Sequence, residues 1–315
     1  MKREDRARIF SAELWLWFQK NKRTLPWRDL TEKDDNRRAY LVFVSEIMLQ
    51  QTQVSRVIEL YQKFVRTFPH IKDLAAASNA DILRAWKGLG YNSRALRLRD
   101  AARLVVQEHA GQFPRTVAEL VRIKGIGEYT AGAILNFAFD VPTPCIDVNI
   151  RRIMHRLFFG PENDDGTWHR SDTELLPLVA LIQNKALMLP GWSAKDVLGA
   201  LMDFGSSLCT KNSPKWDEFP DGMKTAFSAF GSTIVRVQKV NNKEPGRIIA
   251  GTFVPERILR GRIIDVLRKK KATKAEIGRT VITDWSKKRD AWLQKVLTKL
   301  EKDSLLTCTK GTYHL

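Results

Sequence analysis

Apolar residues recur every three or four positions through most of the first 230 residues, which is the spacing of amphipathic helices. Few stretches alternate between apolar and polar residues as a half-buried strand would. Helix-start signals agree, because Ser78 is followed by Asp81 and Thr116 by Glu119, three residues on in each case. This part is therefore predicted to be mainly α. The predicted helices are Ile9–Phe18, Tyr40–Phe64, Ile82–Trp86, Ala95–His109, Val117–Ile123, Thr130–Phe139, Val148–Phe159 and Ala194–Cys209.

The pattern changes after residue 230. Residues 231–252 are polar and contain glycine and proline, which is typical of a linker or an extended arm. Residues 253–315 then show three helical stretches and a short hairpin around Lys310-Gly311, an order that predicts a small winged helix-turn-helix. We therefore expect a helical domain over 1–230, a linker over 231–252 and a winged-helix-like domain over 253–315.

The net charge of the chain indicates which class of molecule it binds. The chain carries 53 Lys and Arg against 35 Asp and Glu, a net charge of +18, and about +12 of this falls between residues 231 and 315. Such a charge favours polyanions. Neither a basic amphipathic anchor nor a lipidation signal points to a membrane surface instead, so nucleic acid is the expected partner.

Composition also indicates a compartment. The N-terminal sequence MKREDRARIF is highly charged and lacks the apolar core of a signal peptide. The three cysteines Cys145, Cys209 and Cys308 are scattered and odd in number, which argues against a disulfide framework. We expect a monomeric protein of the reducing cytoplasm, associated with the nucleoid if the source is a bacterium.

The segment Leu120 to Phe139 reads as helix, KGIG, helix. The glycines Gly125 and Gly127 allow a sharp turn and let backbone N–H groups point at an anion. The helix that starts at about Glu128 adds its positive N-terminal dipole, and Lys124 adds a charge. The turn is therefore a candidate sequence-independent phosphate site, and the alternative is a simple tight turn between two helices.

Two carboxylates stand out from their surroundings. Asp147 directly precedes a predicted helix, where it would accept backbone N–H bonds and remain ionised. Glu46 lies in the nearly apolar run VFVSEIML, and an apolar environment favours the protonated carboxyl. One carboxylate and one carboxylic acid suit cleavage of an N-glycosidic bond. The alternatives are a helix cap and a glutamate on the wet face of a helix.

Five motifs occur in an order and spacing that resemble one enzyme family. They are LPWR (25–28), SEIMLQQTQV (45–54), WKGLGY (86–91), GIGEYTAGAIL (125–135) and IDVNIRR (146–152). The KGIG segment resembles the helix-hairpin-helix of the endonuclease III superfamily. The glutamines of SEIMLQQTQV make the resemblance closer to MutY-type adenine DNA glycosylases, and it covers roughly residues 10 to 210.

The resemblance implies roles for the catalytic residues. Glu46 is similar to the general acid that protonates adenine. Asp147 is similar to the carboxylate that stabilises the oxocarbenium-like sugar, with Asn149 assisting. Tyr129 stands where bifunctional relatives keep a Schiff-base lysine, which implies a monofunctional glycosylase without strong strand cleavage.

The resemblance also implies contacts with DNA. Leu25, Trp27 and Arg28 would line the base pocket. Gln50, Gln51 and Thr52 would read and fill the gap that the extruded base leaves, and Tyr91 would insert beside the opposing base. For these amides, the alternative is an ordinary polar helix end.

The chain departs from the family at the iron–sulfur site. The family usually carries four cysteines here, whereas only Cys209 remains, and Trp216, Phe219 and Thr225 stand at the other three positions. We therefore expect no cluster and no other cofactor or metal. An apolar cluster of side chains would hold the loop instead, and its residues Lys211 and Lys215 would still contact phosphate.

Two further departures affect specificity. Most bacterial relatives use a nucleotide-hydrolase-like C-terminal domain to check for 8-oxoguanine, and this C-terminus is too short and too helical for it. Gly199 stands where relatives often carry Gln or Glu against the adenine. The basic residues expected to bind duplex DNA here are Lys269–Lys271, Lys274, Arg279 and Lys287–Arg289. The alternative is a protein-binding winged helix.

The predicted function is removal of mispaired adenine, opposite 8-oxoguanine or guanine, in base excision repair. Gly199 and the absent checking domain motivate a second hypothesis, thymine or uracil excision opposite guanine. The lost cluster and the predicted winged helix motivate a third, a non-catalytic DNA-binding protein on a glycosylase scaffold. A fourth, an abasic-site lyase, would require another amine as nucleophile.

Overall fold

The computed structural model describes residues 1–160, 162–163, 167–168, 170–227, 244–286 and 290–315. As the hydrophobic pattern predicts, the described fold is mainly helical. The helices up to residue 227 are α1 (Arg3–Asn21), α2 (Asp35–Leu49), α3 (Val54–Thr67), α4 (Ile71–Ala76), α5 (Asn79–Ala85), α6 (Ser93–Glu108), α7 (Val117–Leu120), α8 (Glu128–Phe139), α9 (Val148–Phe158), α10 (Asp172–Leu187), α11 (Ala194–Ser207) and α12 (Asp221–Phe227), with a 3₁₀ turn over Trp216–Glu218.

The chain divides into two compact units. The first contains the described residues of 1–43, 113–122 and 126–240. Its core forms where α1 packs on α10, α11 and α12, and where α9 packs on α10 and α11. Phe10, Ile153 and Phe204 are fully buried there. This burial explains the helical spacing of the apolar residues in these segments.

The second unit contains the described residues of 44–112, 123–125 and 241–315. In its first part α6 packs against α4 and α5. Its C-terminal part consists of the hairpin β1 (Gly246–Ile249) and β2 (Thr252–Pro255), then α13 (Glu256–Leu267), β3 (Ala272–Thr273), α14 (Lys274–Val281), α15 (Asp290–Lys302), β4 (Thr307–Thr309) and β5 (Thr312–His314). The strands β3, β5 and β4 form one antiparallel sheet in that order. Their hairpin turns at Lys310-Gly311, where the sequence predicts it.

The C-terminal part is fastened to the rest of the second unit. The Arg268 guanidinium at the end of α13 donates to the carbonyl oxygen of Leu83 at 2.9 Å and to Oδ1 of Asn92 at 3.0 Å. The Asn79 side chain donates to the carbonyl oxygen of Ser304 at 3.0 Å. The linker predicted over 231–252 lies mostly outside the described residues, and its last part belongs to the β1–β2 hairpin.

The single helix predicted over Tyr40–Phe64 is wrong, because α2 ends at Leu49 and α3 begins at Val54. Gln51 between them has a φ of 55°, a left-handed conformation that ends a helix. The sequence pattern also missed α10, where an apolar run around Pro177 hides the helical period. None of the described helices is long and apolar enough to cross a lipid bilayer.

Candidate active site and DNA-contacting turns

Asp147 caps α9, as its place before the predicted helix indicates. Its Oδ1 accepts the backbone N–H groups of Asn149 at 2.9 Å and Ile150 at 2.7 Å. Its Oδ2 accepts the side-chain amide of Asn149 at 2.7 Å. Both oxygens therefore receive donors, an arrangement suited to a carboxylate that stays in one orientation.

Asn149 is held in turn by Arg152, a residue that the motif analysis did not single out. The Asn149 Oδ1 accepts a bond of 2.8 Å from Arg152 Nη2. The same buried guanidinium donates to the carbonyl oxygens of Gly205 and Cys209, at 2.6 Å in both cases. Arg152 therefore positions Asn149, and Asn149 in turn positions Asp147.

Gly205 lets α11 approach this network closely. A Cβ atom at Gly205 would lie 2.6 Å from the Cβ of Asn149 and 3.2 Å from Cδ1 of Ile153. Any larger residue would push the two helices apart, because 2.6 Å is well inside the contact distance of two carbon atoms. The position of Asn149 therefore depends on a glycine 56 residues further along the chain.

Glu46 lies on α2 within the second unit and is only 5% exposed. Its neighbours Ser45 and Ile47 are buried as well. The prediction of a glutamate in a largely apolar environment is consistent with this burial, and a wet helix face is not. Glu46 has a polar partner within the structure.

The turns that contain QQTQ and GLGY are joined by Arg94, which lies at the start of α6 and is 3% exposed. Its acceptors are the carbonyl oxygens of Ile47, Met48, Gln50, Leu89 and Gly90 and the hydroxyl of Thr52. Burial, with a smaller effect of Arg97, lowers the pKa of the Arg94 guanidinium to about 10, so it remains charged at neutral pH. Sequence reasoning missed this residue; its only signal is an arginine on an apolar helix face.

The predicted inserting residues lie at the tips of these two turns. Gln51 and Tyr91 both adopt left-handed backbone conformations, with φ of 55° and 44°. Both side chains are exposed, and 51% of Tyr91 is accessible. Non-glycine residues in this conformation are uncommon and concentrate at functional sites. The Arg94 network therefore brings Gln50, Gln51, Thr52 and Tyr91 onto one scaffold.

Within the first unit, Arg28, Tyr129 and Gly199 are close neighbours. Nη2 of Arg28 and the hydroxyl of Tyr129 both contact Sδ of Met202, at 3.8 and 3.9 Å. A Cβ atom at Gly199 would lie 3.7 Å from Nη1 of Arg28. Nη1 of Arg28 also donates to buried Asp203 at 2.8 Å. The polar partner of Arg28 therefore comes from α11 one turn beyond Gly199.

Leu25 and Trp27 are both 4% exposed. The LPWR turn is closed by Asp29, whose carboxylate accepts the N–H of Leu25 at 3.0 Å. The Leu25 carbonyl in turn accepts the N–H of Arg28 at 2.9 Å. Leu25 and Trp27 are thus buried residues of this turn, whereas the Arg28 guanidinium contacts Met202 and Asp203 of α11.

The KGIG turn has the predicted helical flanks, and α8 begins at Glu128. Gly125 has a φ of 109°, and a Cβ there would lie 3.3 Å from the carbonyl oxygen of Arg97, so glycine is required. Gly127 is extended, and a Cβ there would meet nothing. Lys124 is exposed beside them.

The segment after α11, where the family resemblance would place an iron–sulfur cluster, has an aromatic interior. Phe204, Trp216, Phe219 and Phe227 form this aromatic cluster, with ring centroids of Trp216 and Phe219 4.6 Å apart. Cys209 is fully buried, and burial raises the pKa of its thiol, which disfavours the thiolate that a metal needs. Within the described residues, no group of three or more Cys, His, Asp or Glu could hold a metal. These residues do not fit an iron–sulfur cluster.

Two arginines of α9 hold the same segment by its backbone. Arg152 donates to the Cys209 carbonyl, and Arg156 donates to those of Thr210 at 2.7 Å and Lys211 at 3.0 Å. Arg156 also forms a buried ion pair with Glu162 at 3.1 Å. The side chains of Lys211 and Lys215 are exposed, and Lys215 pairs with Glu218 at 3.1 Å.

The basic residues predicted for the C-terminal domain are exposed at Lys269, Lys270, Lys271 and Arg279. Lys274 is partly buried and pairs with Asp290 at 2.6 Å. Lys287–Arg289 lie outside the described residues.

Comparison with known proteins identifies the class of protein to which this chain is similar. Residues 44–176 match the family model described as HhH-GPD superfamily base excision DNA repair protein. The structure of a thermostable thymine-DNA glycosylase superposes with a TM-score of 0.59 at 24% identity, covering 70% of this chain and 95% of that one, which shows the shared fold.

Curated relatives refine the class. The adenine DNA glycosylase of Mycolicibacterium smegmatis is 35% identical over 263 residues, which cover 82% of this chain and 80% of that protein. The adenine DNA glycosylase of Mus musculus is 40% identical over 214 residues, which cover 67% of this chain and 40% of that protein. The chain belongs to the adenine DNA glycosylase family. It spans less than half the length of the mouse relative.

Proposed function

We propose that this protein excises mispaired adenine from duplex DNA in base excision repair. The observation that carries the proposal is the Asp147 carboxylate, fixed by three donors at the start of α9, in a chain that also buries Glu46 on α2. Adenine excision needs an anion near the sugar and a proton for the base, and these two residues supply them.

The proposed reaction is hydrolysis of the N-glycosidic bond. Glu46 donates a proton to a purine nitrogen, so the bonding electron pair leaves with a neutral base. Asp147 stabilises the positive charge that develops on the sugar. Water then adds to C1′ and loses its proton, which leaves an abasic site.

Tyr129 supports a monofunctional reaction. Its hydroxyl contacts Met202, and a phenol offers no amine to form a Schiff base with the sugar. We therefore expect no borohydride-trapped complex with DNA, and a trapped complex would support an abasic-site lyase instead.

We further propose that the protein works without an iron–sulfur cluster. The aromatic cluster and the carbonyl contacts of Arg152 and Arg156 support this, because the aromatic side chains fill the interior of the segment after α11 and the arginines bind its backbone. Iron analysis of anaerobically purified protein tests it. Stoichiometric iron would overturn the proposal.

The C-terminal domain is proposed to be a winged helix that binds duplex DNA. Its order of α13, β3, α14, α15 and the β4–β5 hairpin supports the winged helix, and the exposed lysines after α13 support DNA. We also propose that the base opposite the adenine is 8-oxoguanine or guanine. The protein is proposed to act as a monomer.

Single-turnover base release tests the proposed function. The duplexes carry A·8-oxoguanine, A·G, T·G or U·G pairs, and the variants are Glu46→Gln and Asp147→Asn. Release of adenine that falls at least 100-fold in both variants is expected, since each removes a group acting on the transition state. Release of thymine or uracil alone would overturn the adenine assignment. Absence of any release would leave a DNA-binding scaffold.

A further inference from the structure

A cavity of about 740 Å³ lies beside the Tyr91 turn, entirely within the second unit. One wall is the turn Gly88–Ser93 and the other is α13 of the C-terminal domain, with Leu300 and Leu305 also lining it. The volume falls within the range of sites that bind a molecule of nucleotide size. No residue of this cavity takes part in the proposed reaction, and only Tyr91 among them has a predicted contact with DNA.

The lining divides into apolar and charged parts. Leu89, Ile258, Leu300 and Leu305 supply apolar surface. The charged part includes three arginines of α13. Arg257 pairs with Glu244 and Arg260 with Asp303, whereas exposed Arg262 has no ion pair with any residue in the described part of the chain. Arg262 is therefore the arginine of this cavity that is available to an anion.

Tyr91 gives the cavity an aromatic surface. About half of the side chain is exposed, and the Arg94 guanidinium lies 5.7 Å from its ring centroid. An exposed ring and the available arginine Arg262 line the same cavity, and together they match the chemistry of a nucleotide, whose base stacks on aromatics and whose phosphate binds guanidinium groups. The net charge of +18 also favours a polyanion as the occupant of this cavity.

The two walls are held together by specific bonds. The Arg268 guanidinium at the end of α13 donates to Oδ1 of Asn92, the residue after Tyr91. Burial lowers the pKa of Arg268, and its ion pair with Asp265 opposes that effect. The C-terminal domain therefore forms a fixed wall of the cavity.

We propose that this cavity binds one unstacked nucleotide of the DNA duplex, with its base against Tyr91 and its phosphate on Arg262. The inference rests on the proposed function, because an adenine glycosylase unstacks DNA at its target. It gives the C-terminal domain a direct role at the lesion in addition to general duplex binding.

Gly261 offers a clean way to fill the cavity. It lies on α13 and lines the cavity, and a Cβ built there meets no atom within 4 Å. The Cβ of a substituted residue therefore fits at this position, and Gly261→Phe adds a ring to the lining of the cavity, with Gly261→Ala as its matched control. Both are made in full-length protein carrying Glu46→Gln, so that the DNA stays intact. Ile258→Trp is a second filling variant if Gly261→Phe does not fold.

Affinities are measured for one duplex with an A·G mispair and for the same duplex with an A·T pair. We expect Gly261→Phe to bind the mispaired duplex about tenfold more weakly than Gly261→Ala, because a stacked base is lost. Binding of the paired duplex should differ less than twofold between the two variants. Equal affinities for the mispaired duplex, or an equal loss on both duplexes, would overturn the proposal.

The salt dependence of DNA affinity tests the proposed phosphate contact of Arg262. Arg262→Ala should lower the slope of log Kd against log salt by about one, and Arg262→Lys should restore it. A slope unchanged in Arg262→Ala would remove Arg262 from the site. Adenine release by the protein with Glu46 intact is measured separately, so failure of the proposed function is distinguished from failure of the cavity proposal.

Discussion

Arg152 and Arg94 have comparable roles in the two units. Each guanidinium is buried and donates to backbone carbonyl groups. Arg152 also orients Asn149 beside Asp147, and Arg94 joins the turns that carry Gln51 and Tyr91. The side chains proposed to contact DNA are thus positioned by buried arginines, and the contacts of Asn149 and Arg94 can be tested.

Asn149 is predicted to position Asp147. Replacing Asn149 with Ala removes the 2.7 Å donor to Asp147 Oδ2 and leaves the two backbone donors in place. We expect adenine release in single-turnover assays to fall between tenfold and 100-fold, since a hydrogen bond to a charged group contributes about 1.5–3 kcal/mol. Val148→Ala, at an exposed neighbouring position, is the control. A rate for Asn149→Ala equal to that control would contradict the role.

Arg94→Met is predicted to destabilise the second unit. The substitution keeps an apolar stem but removes the arginine donor from five carbonyl oxygens and the Thr52 hydroxyl, and of these carbonyl oxygens that of Gly90 keeps the Trp86 indole as a donor at 3.0 Å. The free energy of unfolding should fall by about 3 kcal/mol or more, because buried acceptors lose their partner. Affinity for mispaired DNA should fall as well. Urea unfolding and mispair binding measure the two effects.

Arg97→Met is the matched control for Arg94→Met. Arg97 lies three residues further along α6 and is exposed. Its replacement should change the free energy of unfolding by less than about 0.5 kcal/mol, as is usual for surface positions. Similar losses in the two variants would show that charge, and not the carbonyl network, explains the result.

At the residue scale, the sequence predicts contacts between residues that are close to each other in the chain. Asp147 could be identified as a helix cap because its backbone partners are two and three residues away. Arg94 and Arg152 could not, because they bond to carbonyl groups 47 and 53 residues away in the chain. Such partners become neighbours only after the helices pack.

At the scale of elements, turns define the candidate site more than helices do. The predicted helix over Tyr40–Phe64 is interrupted at Gln51, and the interruption exposes the glutamines. Helical periodicity continues across this break, so the pattern of apolar residues could not reveal it. The KGIG turn was predictable because Gly125 adopts a positive φ, and the need for glycine in that conformation depends on its own backbone and not on distant residues.

The segment after α11 gives a prediction about pH. Burial raises the pKa of the Cys209 thiol above its ordinary value of 9.0, although Arg156 and Arg152 lower it in part. Above pH 9 the unfolded chain loses this proton first, so the free energy of unfolding should fall as pH rises further. The slope reaches at most about 1.4 kcal/mol per pH unit.

Cys209→Ala supplies the comparison for this pH effect. The variant lacks the thiol, so its free energy of unfolding should depend less on pH between 8 and about 10.5 than that of the wild type. Urea unfolding at several pH values, under reducing conditions, measures both curves. Parallel curves would mean that Cys209 ionises equally easily in the folded and unfolded chain.

At the scale of the whole molecule, the C-terminal part belongs to the same compact unit as residues 44–112. The sequence predicts its element order, but it gives no sign of the bonds from Arg268 and Asn79 that fasten it. Those bonds join residues 185 and 225 positions apart. Composition does predict the positive charge of this part, because charge depends only on counts of residues.

The lysines after α13 are predicted to contribute to duplex affinity through phosphate. Lys269, Lys270 and Lys271 are exposed, and changing all three to Gln keeps their length but removes three charges. Binding of a paired duplex should weaken, and the slope of log Kd against log salt should fall by about two to three, since each phosphate contact releases roughly one counterion.

Adenine release at saturating protein should change little, because these residues lie outside the reaction. Filter binding between about 50 and 200 mM salt gives the slope, and Lys63→Gln, at an exposed lysine on α3, gives the effect of removing one surface charge elsewhere. A triple variant with the wild-type slope would show that these lysines do not contact the duplex and would favour a protein partner for the C-terminal domain.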